Sequence, residues 1–238
     1  MNVAVIVAGG SGSRMGQEIP KQFINVYDKP VIVYTLEAFQ KHPQIDKIIV
    51  VCIDGWHDIL NAYAKQFEIS KLEKIVSGGK SAQESIRNGV YSLEGLCKDD
   101  DIVVIHDGVR PLVEDSVLSD VIIKCNMYGN AVTSMPYNEQ IFVKKDEATT
   151  TEYIPRDTLR RVSTPQAYKF GLLFRAYKKA FEKNIGIGPS SYTNTMMVDL
   201  GETLYFAAGS DKNIKLTTKD NLEMFKAFLK MEKDSWLK

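Results

Sequence analysis

The segment 8–22, which reads Ala-Gly-Gly-Ser-Gly-Ser-Arg-Met-Gly-Gln-Glu-Ile-Pro-Lys-Gln, constrains the fold more than any other part of the chain. It follows an apolar run, Val3 to Val7, which predicts a buried strand. Backbone N–H groups of closely spaced glycines then lie at the carboxyl end of that strand, where open α/β sheets bind ligands. These glycines are Gly9, Gly10 and Gly12. Because Arg14 and Lys21 add two positive charges, the segment predicts a loop that holds a polyphosphate.

Two common phosphate-binding loops do not fit this sequence. The dinucleotide-binding fingerprint requires a glycine three residues after Gly12, where this chain has Met15. The Walker loop requires a glycine at position 74, where the chain has Lys74, so the later Gly79-Lys80-Ser81 does not complete it. The loop therefore belongs to a different class of phosphate-binding site.

The composition of the chain argues against several classes of function. The chain has 238 residues, of which 44% are hydrophobic, and this favours one globular domain, 1–238. Its 30 basic and 30 acidic residues balance, which argues against a nucleic-acid partner. No apolar run approaches the roughly 20 residues that span a bilayer, and the N-terminus does not read as a signal peptide. Three cysteines without a CxxC pair predict reduced thiols in a cytoplasmic protein.

Strand-like and helix-like segments alternate along most of the chain, which predicts a doubly wound, mostly parallel α/β sheet. Predicted strands are 3–7, 46–53, 74–76, 101–105, 131–135, 203–207 and 214–216, and predicted helices are 30–41, 58–67, 81–96, 115–128, 170–183 and 219–231. The alternation breaks between Tyr137 and Ser163. There, two short extended runs, 141–146 and 150–154, flank a charged segment and predict a projecting β-hairpin arm that pairs with a second chain.

Polar clusters follow several of the predicted strands. Ser77-Gly78-Gly79-Lys80, with Ser85 behind it, suits the close approach of a planar base. A helix-entry turn in which Ser81 and Glu84 form a capping box explains the same residues equally well. Both interpretations place the cluster at the start of a helix.

Charged residues of three other clusters suit phosphate chemistry. Asp107, one residue past a predicted central strand, can hold Mg²⁺ on phosphates, whereas its neighbour His106 is more typical of a structural histidine. Arg156, at the end of the predicted arm, is either a solvated charge or a bidentate phosphate donor. Lys215 lies on or near a late predicted strand. The clusters contain neither a Ser-His-Asp order nor a zinc-ligand spacing, which favours catalysis by positioning and charge neutralisation.

The ordered motifs of the chain resemble those of the cytidylyltransferases of polyol phosphates. They are Ala-Gly-Gly-x-Gly-x-Arg-Met, Pro-Lys-Gln, Gly-Gly…Ser, His-Asp-x-x-Arg-Pro, Thr-Pro-Gln and Asn-x-Lys-x-Thr, and they cover nearly the whole chain. The resemblance implies a Rossmann-like nucleotidyltransferase fold whose β-arm, about 137–163, clasps the partner of a homodimer. It also implies that CTP and a polyol phosphate react to a CDP-polyol and diphosphate with Mg²⁺ or another divalent cation.

The resemblance assigns roles motif by motif. Catalytic charge neutralisation falls to Arg14, Lys21 and Lys215. Nucleotide binding falls to Ala8, Gly9, Gly10, Gly12, Gly79, Lys80, Ser85 and Asp107, and Asp107 shares Mg²⁺ with the CTP phosphates. Binding of the polyol phosphate is assigned to Gln140, Thr193, Lys215 and, from the other subunit, Arg156. Arg110 is implied as a scaffold and salt-bridge partner.

Departures from the methylerythritol phosphate branch of the family fall mostly on the side of the second substrate. Ala82 replaces an arginine, Asn194 follows Thr193 in place of an aspartate, and a threonine expected near Gln140 is missing. These differences favour D-ribitol 5-phosphate, whose CDP derivative serves cell-surface polysaccharide synthesis. The isoprenoid-pathway enzyme for methylerythritol phosphate is the alternative. A non-catalytic nucleotide-binding protein on the same fold is a third hypothesis, which the retained charged residues disfavour.

Overall fold

The computed structural model describes residues 1–10 and 19–235. The described strands are β1 (Asn2–Ala8), β2 (Asn25–Val26), β3 (Lys29–Pro30), β4 (Lys47–Cys52), β5 (Leu72–Ser77), β6 (Ile102–Asp107), β7 (Asn130–Pro136), β8 (Ile141–Lys144), β9 (Thr150–Ile154), β10 (Arg160–Lys169) and β11 (Phe206–Ala208). The described helices are α1 (Val31–Lys41), α2 (His57–Gln66), α3 (Ala82–Tyr91), α4 (Asp115–Tyr128), α5 (Phe170–Lys183), α6 (Thr193–Asp199) and α7 (Lys219–Ser235), besides short 3₁₀ turns.

A seven-stranded sheet with the order β11-β7-β10-β6-β1-β4-β5 forms the centre of the fold. All its strands run in one direction except β10, which is antiparallel to both of its neighbours. The central strand β1 is flanked by β6 and β4, and its residues Val3 to Ile6 are completely buried. Such a continuous apolar run is typical of a parallel strand covered on both faces. The mostly parallel α/β sheet predicted from the alternating pattern is thus confirmed.

Helices cover both faces of this sheet. One face packs against α1, α2 and α4 through residues such as Leu36, Leu60 and Leu118. The other face packs against α3, α5 and α6 through residues such as Ile86 and Leu173. Because both faces are covered, ligands can reach the sheet at its carboxyl edge, where loops replace helices.

The predicted hairpin is present as a separate two-stranded sheet of β8 and β9. The two strands are antiparallel, with Ile141 opposite Ile154 and Phe142 opposite Tyr153. Within one chain the strands therefore pair with each other, and pairing with a second chain stays a prediction. Phe142 and Tyr153 are each about 60% exposed, so the arm buries little apolar surface by itself.

Four segments differ from the sequence prediction. The ten-residue strand β10 was missed, and it fills the place between β6 and β7. The segment 214–216, predicted as a strand, pairs with no strand in the described part of the chain, and the predicted strand 203–207 begins only at Phe206. The helix predicted over 81–96 ends at Tyr91, after which the chain forms turns.

The three cysteines are free thiols. Burial raises the pKa of Cys52 and Cys125 to about 12 and that of Cys97 to about 11. Among the helices in the described ranges, none is long and apolar enough to cross a membrane.

Candidate active site

A cavity of about 490 Å³ opens at the carboxyl edge of the sheet. Its wall is built by the segments that follow β1, β5 and β6, by the start of α6 and by Lys215. These strands are neighbours or near neighbours in the sheet, so their ends converge. Residues of the clusters that contain Gly79, Asp107 and Lys215 meet in this wall, whereas Arg156 lies outside it.

Glycines allow two loops to touch at the floor of the cavity. A Cβ atom on Gly9 would lie 3.1 Å from Ser85 Oγ, and one on Gly78 would lie 3.2 Å from the Gly9 Cα. Gly79 is tighter still, because its Cβ would lie 2.3 Å from Glu84 Cβ. The Gly79 N–H donates to Ser85 Oγ at 2.9 Å, and that hydroxyl donates to the Ser81 carbonyl at 2.9 Å. The hydroxyl of Ser85 thus locks the glycine loop onto the first turn of α3.

The start of α3 forms another part of the wall. The Ser81 hydroxyl accepts from Glu84 N–H at 3.1 Å, as the capping box predicts. The carboxylate of Glu84 accepts from Lys80 N–H at 2.7 Å, so the returning hydrogen bond reaches one residue before the cap. Ala82, the first residue of the helix, lines the cavity with a methyl group. The unpaired amides of a helix N-terminus favour an anionic ligand here.

Gln22 holds the beginning of the glycine-rich loop in place. Its side-chain amide donates to the carbonyls of Ala8 at 2.7 Å and Gly10 at 3.0 Å, and the side chain is 1% exposed. Lys21, the preceding residue, lines the cavity. The sequence contained this glutamine in its Pro-Lys-Gln motif, but no local signal indicated which carbonyls it would bind.

Asp107 forms an ion-pair network with two cations. Its Oδ2 accepts from Arg110 Nε at 2.9 Å, and its Oδ1 accepts from Lys215 Nζ at 3.0 Å. Burial of the Asp107 carboxyl would raise its pKa, but the charges and hydrogen bonds of Lys215 and Arg110 outweigh it and lower the pKa to about 2. The carboxylate is therefore ionised at neutral pH. Lys215 also lies 5.7 Å from the centre of the Tyr192 ring at the cavity mouth.

Residues behind this network hold it from two sides. The Arg110 guanidinium donates to the Asn213 carbonyl at 2.7 Å, and the Asn213 side chain donates to the Thr164 carbonyl at 2.6 Å. The Thr164 hydroxyl in turn accepts from Asp107 N–H at 3.2 Å. Arg110 is thus the scaffold and salt-bridge partner that the resemblance implied.

His106 has a structural environment, as its sequence context suggested. The ring is completely buried, lies 5.1 Å from the Phe39 ring and donates through Nε2 to the Arg110 carbonyl at 3.0 Å. Burial is the main reason that the pKa of His106 is lowered to about 4. The imidazole is therefore neutral at neutral pH. Its Nδ1 atom has no hydrogen-bond partner among the described residues.

Thr193 presents a hydrogen-bond acceptor to the cavity. The Gln83 amide donates to the Gly186 carbonyl at 2.8 Å, and the Gln83 oxygen accepts from Tyr177 O–H at 3.0 Å. Because the only proton of the phenol is used there, the 2.8 Å contact between Tyr177 and Thr193 is donated by the threonine hydroxyl. The lone pairs of Thr193 Oγ1 therefore remain for a ligand that donates a hydrogen bond.

The structure brings most of the predicted site residues together. Those that line the cavity are Ala8, Gly9, Gly10, Lys21, Gly79, Lys80, Ser85, Asp107, Thr193 and Lys215. Gly12 and Arg14 lie outside the described residues. Gln140 and Arg156 belong to the arm and do not line the cavity of their own chain. Arg156 instead borders a depression of about 580 Å³ beside Phe206, where its guanidinium donates to the Asn138 carbonyl at 3.2 Å.

Comparisons with known proteins agree with this geometry. Residues 2–231 match the family described as 2-C-methyl-D-erythritol 4-phosphate cytidylyltransferase. The chain is 62% identical over 230 residues to the ribitol-5-phosphate cytidylyltransferase of Lacticaseibacillus paracasei, with 97% of this chain and 98% of the relative covered. It is 36% identical over 229 residues to the 2-C-methyl-D-erythritol 4-phosphate cytidylyltransferase of Clostridium tetani, with 96% and 90% covered.

A solved structure shares the fold over nearly the full length. The 4-diphosphocytidyl-2C-methyl-D-erythritol synthase of Anaerococcus prevotii superposes with a TM-score of 0.82 at 21% identity and covers 97% of this chain and 96% of its own. This likeness confirms the Rossmann-like nucleotidyltransferase architecture that the motifs implied.

Proposed function

The chain belongs to the family of 2-C-methyl-D-erythritol 4-phosphate cytidylyltransferases, and on that premise we propose that it transfers a cytidylyl group from CTP to D-ribitol 5-phosphate. The observation that carries the choice of polyol is the 62% identity, over almost the entire chain, to a relative with that name. The departure at Asn194 supports the same choice, because this residue directly follows Thr193, which lines the cavity and is assigned here to the polyol phosphate.

In the proposed reaction, a phosphate oxygen of ribitol 5-phosphate attacks the α-phosphorus of CTP. A new phosphorus–oxygen bond forms, the bond to the β-phosphate oxygen breaks, and diphosphate leaves. The enzyme needs no covalent intermediate, so its contribution is to place the two anions in line and to neutralise the charge that shifts to the leaving group. We assign this role to Lys21, Lys215 and Arg14.

The nucleotide lies over the glycine loop in this proposal. Gly79 and Gly9 let this loop pack closely on Glu84 and Ser85, and its backbone groups read the cytosine edge in this assignment. Ser85 keeps that loop in a fixed position through its two hydrogen bonds. CTP should therefore bind more tightly than ATP, and equal affinities in a binding titration would contradict this assignment.

Asp107 is the residue we assign to a divalent cation. The described residues contain no group of three His, Cys, Asp or Glu side chains that could hold a metal by themselves. A single carboxylate fits Mg²⁺ nevertheless, because this ion is commonly bound by one or two carboxylates together with substrate phosphates. When bound, Mg²⁺ would neutralise phosphate charge. Asp107 itself is ionised and faces the cavity, as this role requires.

The polyol phosphate lies between Thr193, Lys215 and the arm of a second chain. Thr193 offers an acceptor that suits a polyol hydroxyl. Arg156 is not among the described residues that line the cavity of its own chain, so we propose a homodimer in which the arm brings Arg156 and Gln140 to the partner's site. The proposed location of the protein is the cytoplasm, and its CDP-ribitol would supply cell-surface polysaccharide synthesis.

The decisive experiment measures diphosphate release from CTP with a panel of polyol phosphates. D-ribitol 5-phosphate should give the highest kcat/KM, and the product should have the mass of CDP-ribitol. The panel includes 2-C-methyl-D-erythritol 4-phosphate, the substrate in the name of the matching family and the alternative substrate. A higher kcat/KM for that compound would replace the proposed polyol while keeping the cytidylyl transfer.

A further inference from the structure

A small buried cluster lies behind the cavity, separate from the two large cores of the sheet. Its fully or nearly fully buried members are Val26, Val31, Val109, Leu216 and Phe225. Phe225, from the C-terminal helix α7, is completely buried and meets the Tyr34 ring edge-on at 5.1 Å between ring centres. We refer to these five residues as the rear cluster.

The segments of Asp107 and Lys215 both contribute a residue to the rear cluster. Leu216 directly follows Lys215, and Val109 lies between Asp107 and Arg110. The two backbones are joined, because Leu216 N–H donates to the Val109 carbonyl at 2.9 Å. Lys215 and Asp107 therefore depend on the same buried contact.

The segment of Lys21 reaches the rear cluster through backbone hydrogen bonds. Val31 N–H donates to the Ile24 carbonyl at 3.0 Å, and Ile24 N–H donates to the Lys21 carbonyl at 3.3 Å. The Tyr34 hydroxyl fixes the same hairpin by donating to the Val26 carbonyl at 2.7 Å. A shift of the cluster would thus be passed to the backbone of Lys21.

The first turn of α7 adds a second connection to Lys215. The Asn221 side-chain oxygen accepts from the N–H groups of Thr217 and Thr218, each at 3.1 Å. These residues join Leu216 to the helix, so the position of α7 and that of Lys215 are coupled.

We propose that Phe225 is a positioning residue that sets Lys21, Asp107 and Lys215 relative to one another through the rear cluster. The inference rests on the proposed function, because it assigns those three side chains to the transfer reaction. α7 contributes no residue to the cavity wall within the described part of the chain. Its effect on catalysis is therefore indirect, through packing.

The test compares Phe225→Leu and Phe225→Met with Phe170→Leu in the full-length protein. Phe170 is also buried, at 6% exposure, but it lies at the opposite edge of the sheet, where its backbone N–H donates to the Asp101 carbonyl. Small displacements of reacting groups cost up to about a hundredfold in rate, so kcat should fall about tenfold in both Phe225 variants. The KM for CTP should stay within about twofold, and Phe170→Leu should keep its kcat.

Hydrogen exchange without substrate supplies the second measurement. The amides of Val31 and Leu216 should exchange faster in the Phe225 variants than in Phe170→Leu. Any of three results would overturn the proposal. The first is faster amide exchange that is confined to α7, and the second is an equal kcat in all three variants. The third is that both Phe225 variants fail to fold while Phe170→Leu folds. Failure of the wild-type protein to make CDP-ribitol would instead count against the proposed function, because the exchange pattern is measured without it.

Discussion

The cavity and the hairpin arm are held in opposite ways. Around the cavity, Asp107, Arg110 and Lys215 are tied to several strands and loops by short hydrogen bonds. Among the described strands, β8 and β9 of the arm pair only with each other, and Phe142 and Tyr153 stay largely exposed. A hairpin of two strands is marginally stable by itself in water. The contrast fits the proposal that the cavity of one chain binds the nucleotide and that the arm packs on a second chain.

Lys21→Ala gives the largest expected effect on the nucleotide half. Loss of one preorganised charge at the transferred phosphate should lower turnover by about 10²–10³. Stability should change little, since the residue lines a cavity. Steady-state kinetics and thermal unfolding check both expectations. Lys47→Ala is the control, because Lys47 pairs with Glu73 at the opposite edge of the sheet. Activity of Lys21→Ala within threefold of wild type would refute its role.

Arg156→Ala tests the arm. A charge-assisted hydrogen bond contributes about 1.5–3 kcal/mol, so the KM for the polyol phosphate should rise about tenfold to a hundredfold, with little change for CTP. Arg156→Lys should restore only part of this loss, because an ammonium group cannot bind phosphate with two parallel hydrogen bonds. Lys144→Ala, another cation of the arm, is the control and should leave both KM values unchanged.

Mixing Arg156→Ala subunits with Lys21→Ala subunits distinguishes a shared site from a site within one chain. In a mixed dimer with shared sites, one of the two sites has both residues intact, so activity should return. If subunit exchange is confirmed and no activity returns, Arg156 acts within its own chain. That result would contradict the proposal that the arm completes the site of a second chain.

Asp107→Asn should change how stability depends on pH. Folding lowers the pKa of Asp107 from about 3.9 to about 2, so the ionised carboxylate stabilises the fold above pH 4. This contribution, about 2 kcal/mol, is lost as the pH falls through the folded pKa. Urea unfolding between pH 6 and pH 2 should therefore show a steeper loss for wild type than for Asp107→Asn. Asp58→Asn, on exposed α2 surface, should follow wild type, and parallel curves for all three proteins would contradict the ion-pair network.

Phe142→Ala has the smallest expected effect. The free energy of unfolding of dilute, separated chains should change by less than about 0.5 kcal/mol, because the ring is exposed. If the arm packs on a second chain, the destabilisation should grow with protein concentration. Thermal unfolding over a dilution series measures this. A concentration-independent loss would mean that the arm packs on its own chain.

The parallel core of the fold could be predicted because its signals are local. The apolar run Val3 to Val7 predicts a buried strand from its own residues alone, and β1 lies there. By contrast, β10 contains Pro165 within Ser-Thr-Pro-Gln, and proline argues against an interior strand. A register shift between Val162 and Gln166 accommodates this interruption, and only the neighbours β6 and β7 could reveal it.

The charged residues of the site were visible in the sequence, but their partners were not. Asp107 and Lys215 are 108 positions apart, and no periodic pattern links them. The same holds for Tyr177, whose hydrogen bonds to Gln83 and Thr193 join three helices. Such contacts depend on how helices pack on the sheet, so motifs can name the residues of a site without giving their orientation.

The thiols of the three cysteines can report how often parts of the folded protein open to solvent. Alkylating reagents and peroxide react with the thiolate, and burial keeps Cys52, Cys97 and Cys125 in the protonated form at neutral pH. An unfolded chain would expose cysteines with a pKa near about 8.5, which react far faster. Labelling rates at each cysteine therefore measure how often its part of the sheet separates. Cys52 ends β4 and Cys125 lies in α4, so a strand and a helix can be followed in one mass spectrum.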